Sequence, residues 1–141
     1  MTQVPVSEGL FTWPSEEPQL IGSKCGACGI VTFPVQESCP RCAATEMGEH
    51  LLARRGRLWA WTTQHFPPPA PPYTGPKGAD FTPFGVGFVE LGDVKVESRL
   101  TEHDADVLQQ GMEMELVVIP FSTDDDGNEV VTFAFRPVVS A

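Results

Sequence analysis

Basic residues are scarce in this chain: nine lysines and arginines stand against 19 acidic residues, a formal net charge of −10 over 141 residues. Such a field repels nucleic-acid backbones and anionic membrane surfaces, so neither is the expected partner. Long apolar runs are also missing. The longest, over residues 116–121, is interrupted by Pro120, far short of the roughly 18 residues needed to cross a bilayer. The N-terminus has no basic stretch followed by an apolar one, which argues against a secretion signal and makes the cytoplasm the expected location. Histidines are limited to His50, His65 and His103, and no Ser-His-acid order is evident around them. What the chain has in quantity is proline (14) and glycine (13), a composition that favours short strands and turns over long helices.

All four cysteines fall in one short segment, Cys25, Cys28, Cys39 and Cys42, inside the strings KCGACG and SCPRC. Two residues between paired cysteines let both sulfurs turn toward one point, and Gly29 suits the tight knuckle that does this. Two such knuckles supply four thiolates in a tetrahedron, the arrangement Zn²⁺ takes in a closed structural site. With four protein ligands no position is left for water or substrate, so the metal is expected to be structural. Disulfides would suit a secreted chain, which nothing here indicates. A redox dithiol would need one pair at a helix start after a strand, and neither pair has that context. Iron can occupy the same thiolates in a given preparation. The ion is expected to replace a hydrophobic core over residues 20–50, a segment too small and polar to fold alone.

Three regions follow from this: an arm over 1–19, interrupted by Pro5, Pro14 and Pro18 and carrying Leu10, Phe11 and Trp13; a zinc ribbon over 20–50; and a β domain over 54–138. In the last, strands are predicted over 58–65, 84–91, 94–100, 112–121 and 129–136. Gly92-Asp93 is a two-residue hairpin signal between the second and third. The fourth should be half exposed at its start and buried later. Thr101, Asp104 and Gly111 read as the cap and stop of a short helix over 101–110. Five strands with a helix between the third and fourth is the order of an OB-fold, a Greek-key barrel. Gly85 and Gly87 mark where its second strand could bend. The 66–83 loop holds seven of the fourteen prolines; it must leave the sheet, and a loop of that length is more often a binding element than a plain connector.

Beside the cysteines, Arg54, Arg55 and Arg57 followed by Trp59 and Trp61 form the main candidate contact cluster. Basic residues interleaved with aromatics hold single-stranded nucleic acid on OB-folds, and the same chemistry suits the phosphates and adenine of coenzyme A. Alternatively the arginines are solvated and the tryptophans pack on the core or a partner. Period-two alternation puts Trp59 and Trp61 on one face of their strand. Glu90 and Glu97 lie on adjacent predicted strands and read as solvent-facing rather than as a catalytic pair. Asp124 to Asp126 lacks calcium-loop spacing and reads as a turn.

The CGACG and CPRC knuckles, Phe33-Pro34 between them, the stretch from Gly56-Arg57 to Thr62, PFGVGFVEL, Gly111-Met112 and Phe135-Arg136-Pro137 together resemble a known family. It is that of the acyl-CoA-associated proteins built from a rubredoxin-like zinc ribbon and an OB-fold, catalogued as domain-of-unknown-function family thirty-five. The resemblance covers roughly residues 20–138; the arm departs from it, being short and proline-broken where the family often has a longer helical segment. It implies a non-catalytic accessory subunit of a thiolase-like or lipid-transfer-protein-like enzyme, a thiolase or a steroid side-chain retro-aldolase. It also implies acyl-CoA at the shared interface. The other class to weigh is a nucleic-acid-binding ribbon and OB module, which the acidic charge disfavours.

Overall fold

The computed structural model describes residues 2–70, 73, 75–92 and 94–138. Among the described residues there are nine strands: β1 (Gln3–Pro5), β2 (Ile21–Cys25), β3 (Val31–Thr32), β4 (Met47–Leu51), β5 (Arg55–Gln64), β6 (Phe84–Leu91), β7 (Val94–Leu100), β8 (Glu113–Thr123) and β9 (Glu129–Pro137). Among the described residues the one helical element is a three-residue 3₁₀ turn, Gly78–Asp80.

β5 to β9 close into a barrel. β5 pairs with β6 and β8, β6 with β7, β8 with β9, and a single parallel bridge from Leu100 to Phe135 joins β7 to β9. That is the OB-fold order expected of five strands with this patterning. The interior is filled by Leu58, Val89, Val96, Leu100, Met114, Leu116 and Phe135, each at most 2% exposed. Alternation along each strand sends these residues inward. In β6 it is Gly85, Gly87, Val89 and Leu91 that point in, so Phe84, Val86 and Phe88 point out. A side chain at Gly85 would run into the Glu102 carbonyl, and one at Gly87 would lie 2.6 Å from the Ala60 carbonyl. Only glycine lets the neighbouring backbone approach this closely.

Three expectations need correction. Residues 101–111 form turns rather than a helix. The Glu102 carboxylate accepts from the amides of His103 and Asp104, and Asp104 accepts from that of Asp106. Such local side-chain bonds compete with a helical ladder. Gly111 does take a left-handed φ of 85°, but in a turn whose amide donates to the Leu58 carbonyl. Next, the second half of β8 is half-buried to exposed, Pro120 included, rather than buried. Last, a β-bulge between Leu58 and Ala60 inserts Trp59 as an extra residue. It breaks the alternation, so Trp59 lies outward against Phe88, while Trp61 pairs with the inward-facing Gly87 and packs on the core. Of the Gly92-Asp93 turn, Gly92 has φ 71° and Asp93 lies outside the described residues.

The cysteine-bearing segment forms its own sheet, β3-β2-β4. The arm packs on the barrel of this chain: β1 runs parallel to β9, from Gln3 opposite Glu129 to Pro5 opposite Val131. Phe11 is buried, and its ring meets those of Trp13 and Phe133 edge-on at 6.2 and 6.4 Å. Phe33 of the ribbon meets Phe133 of the barrel at 5.6 Å. Arg54, between the two sheets, donates to the carbonyls of Pro18 and Leu116. Arm, ribbon and barrel thus share one apolar cluster.

Candidate functional site

The two knuckles are built alike. Cys25 Sγ accepts from the amides of Ala27 and Cys28, and Cys39 Sγ accepts from those of Arg41 and Cys42, all at 3.4 Å. Each pair of amides comes from the residues two and three places on, which is what the C-x₂-C spacing provides. Gly29 closes the first knuckle at φ 79°, where a glycine carries no steric penalty. The first cysteine of each pair is buried and the second exposed.

The four sulfurs converge, all lying within 4.8 Å of one another. Cys25 and Cys42 sulfurs are 3.7 Å apart, and those of Cys28 and Cys39 3.6 Å. A tetrahedron with Zn–S bonds of about 2.3 Å has edges of about 3.8 Å, so the sulfurs fit zinc. Backbone amides, Cys28's first, lower the Cys25 thiol below its ordinary value. At Cys39 burial opposes ionisation, but the Cys42 and Arg41 amides outweigh it and lower the thiol to about 6. The Ala44 amide favours ionised Cys42, yet the Cys39 sulfur, burial and the other two sulfurs push it up to about 12. Four thiolates this close need a cation, and zinc supplies it. The residues form a closed zinc-binding site.

The structure divides the arginine and tryptophan cluster: Arg55, Arg57 and Trp59 are exposed along β5, whereas Arg54 and Trp61 are half-buried. Arg54 is spent on the two carbonyls described above. Arg55 pairs with Glu113 at 3.5 Å and Glu115 at 3.1 Å, and Arg57 donates to the Gly111 carbonyl at 2.9 Å. Trp59, 43% exposed, carries Lys95 over its ring at 4.0 Å. His50 stands opposite Gly22 in the ribbon sheet, whereas His65 and His103 are exposed on the barrel side. Glu90 faces Lys95 and Glu97 faces Phe88 across the β6–β7 ladder, so the two carboxylates are not cross-strand partners. Asp124 accepts from the amides of Asp126 and Asn128, the pattern of a turn.

Sequence reasoning missed the outer side of β7. There Arg99 lies over the Phe84 ring at 3.9 Å, bordering a cleft of about 260 Å³ with Tyr73, Phe121 and Phe133. Burial lowers the Arg99 guanidinium below its ordinary value, partly opposed by Tyr73. The signal was available in the alternation of VKVESRL, which puts Lys95, Glu97 and Arg99 on one face.

Two family models match adjoining stretches of the chain: the rubredoxin-like zinc ribbon domain of ChsH2 over residues 13–48, and its C-terminal OB-fold domain over 49–118. A DUF35 domain-containing scaffold protein of Pyrococcus furiosus is 28% identical over 128 residues, covering 89% of this chain and 88% of the relative. The benzoylsuccinyl-CoA thiolase subunit BbsA of Thauera aromatica is 27% identical over 122 residues, covering 86% and 78%. Among solved structures, a chain of the Ltp2-ChsH2(DUF35) aldolase superposes with a TM-score of 0.61 at 23% identity, covering 86% of each chain. That likeness supports the fold.

Proposed function

The chain belongs to the ChsH2 zinc-ribbon and OB-fold family, and from that premise we propose that it is a non-catalytic accessory subunit of a thiolase-superfamily acyl-CoA enzyme. The observation that carries the reading is the kinship with relatives that are themselves a scaffold protein and a thiolase subunit. The chemistry of the chain agrees with it. Its zinc has four thiolate ligands and no open position for a substrate, so the metal holds the ribbon together instead of polarising a bond. Reaction chemistry then belongs to the partner, either a thiolase or a retro-aldolase acting on lipid or steroid side chains in the cytoplasm. The chain stabilises that partner and contributes to the wall of its acyl-CoA site.

In the working division, the arm over 1–19 and the ribbon over 20–50 brace the barrel over 54–138. Arg55, Arg57 and Trp59 are the exposed members of the contact cluster offered to the partner or its coenzyme A. Nucleic acid has less support, because all three arginines of the cluster already bond protein oxygens in a chain of charge −10. No helix among the described residues is long and apolar enough to cross a membrane.

The test is a tagged pull-down of the full chain from its native host in moderate salt, with co-purifying proteins identified by mass spectrometry. A thiolase-like protein recovered in stoichiometric amount supports the reading. Recovery of the chain alone, or with nucleic acid, overturns it.

A further inference from the structure

The outer face formed by β5, β6 and β7 is built the wrong way round for a surface that meets water. β6 spends its inward positions partly on Gly85 and Gly87 and presents Phe84, Val86 and Phe88 outward. The bulge in β5 turns Trp59 out beside Phe88, with ring centroids 6.1 Å apart. Both rings stay well exposed, at 43% and 38%. A contiguous exposed apolar area of this kind marks an interaction site more often than chance.

The cations of this face are also unusual. On the barrel strands, Arg55, Arg57 and Arg136 each bond a protein oxygen. Lys95 and Arg99, both on the outer side of β7, instead rest on the rings of Trp59 and Phe84. Neither has a carboxylate in ion-pair range among the described residues. Arg99 is half-buried at the edge of the cleft, which opens where β7 and β9 share only the Leu100–Phe135 bridge. Glu97 lines the same cleft but makes no ion pair with Arg99, so a carboxylate from outside that reached the half-buried guanidinium would offset its desolvation.

We propose that this face docks on the partner enzyme, with Arg99 receiving a carboxylate of the partner in the Phe84–Phe121 cleft and Trp59 and Phe88 packing on its apolar surround. The proposal rests on the accessory-subunit reading and names the surface that reading leaves open. A cleft of about 260 Å³ is smaller than the roughly 300–1,000 Å³ of a small-molecule pocket. It suits one inserted side chain. Exposed tryptophan and a stacked arginine are the residue types that anchor protein interfaces. A second copy of this chain is disfavoured by the charge of −10 that each copy would bring to the contact.

The experiment uses the full chain with the thiolase-like protein it recovers. Arg99→Gln, Trp59→Ala and Phe88→Ser are each compared with the unaltered chain in pull-down, and hydroxyl-radical footprinting reads Trp59 and Phe88 in the free chain and in the complex. Zinc content and melting midpoint check that each variant is folded; the footprint needs no variant. Expected are a fall of roughly tenfold or more in partner recovered by Arg99→Gln, partial retention by Arg99→Lys, and loss of labelling at both rings in the complex. Partner recovery within twofold for all variants, with both rings labelled as in the free chain, overturns the proposal and leaves the accessory-subunit reading standing. Protection of the rings in the isolated chain that grows with its concentration also overturns it, in favour of self-association. Failure of the unaltered chain to recover a thiolase-like protein defeats the parent reading and the proposal together.

Discussion

Ribbon and barrel hold their shapes by opposite means. In the ribbon sheet the buried side chains are few, mainly Leu20, Ser23, Val31 and the two cysteines Cys25 and Cys39. The barrel encloses Leu58, Val89, Val96, Leu100, Met114, Leu116, Val131 and Phe135. Burying a large apolar side chain contributes about 1.5–3 kcal/mol; the ribbon has too few to offset its chain entropy, and four metal–sulfur bonds make up the difference. Loss of metal and loss of apolar volume should therefore damage different parts of one molecule.

Removing the metal is expected to have the largest effect, since structural zinc sites contribute on the order of 10 kcal/mol to folding. Cys25→Ser, or a strong chelator, should unfold the ribbon while the barrel keeps its strand signal, read by circular dichroism and by hydrogen exchange of 21–51 against 84–135. Simultaneous collapse of both regions would break the distinction. Phe135→Ala should act the other way, lowering the barrel's unfolding free energy by about 3–5 kcal/mol in denaturant titration while the zinc content stays at one per chain.

The seam is the intermediate case. Arg54→Ala strands the Pro18 and Leu116 carbonyls that it now serves, a cost of about 1–3 kcal/mol, and should separate the melting of the two regions. The smallest effect is electrostatic. Glu115 is lowered below the ordinary glutamate value of 4.5, first by its bond to Arg136, then, against the cost of burial, by Arg55. A carboxylate held down in the folded state stabilises above that value and loses its contribution as pH falls through the folded-state value. Both arginines are more than half exposed, so screening limits the gain to on the order of 0.5 kcal/mol. Glu115→Gln should lower stability at neutral pH by on the order of 0.5 kcal/mol, flatten the profile below pH 4.5, and converge with the unaltered chain in acid.

The parts of the fold carried by local pattern were legible in the sequence. The cysteine spacing announced the metal site, because two knuckles need nothing from the rest of the chain. The five barrel strands were visible in their alternation and in the turn residues between them. What escaped depends on contacts between distant segments. Trp59 and Trp61 obey period-two alternation on paper, and only the β5–β6 pairing reveals the bulge that parts them. Thr101 and Gly111 carry helix-end chemistry, but the segment between them is pinned by Thr101 to Phe135 and by Gly111 to Leu58. The arm's proline-broken sequence hid a strand, because β1 exists only where β9 offers it an edge.

The central claim is that chemistry resides in the partner and support in this chain. The direct measurement is acyl-CoA thiolysis or retro-aldol cleavage by the recovered partner alone, by this chain alone, and by the two together, with the partner's melting temperature taken in parallel. No turnover is expected from this chain, and the partner should be less active and less thermostable until the chain is added. Turnover by this chain alone, or a partner equally active and stable without it, would overturn that division of labour.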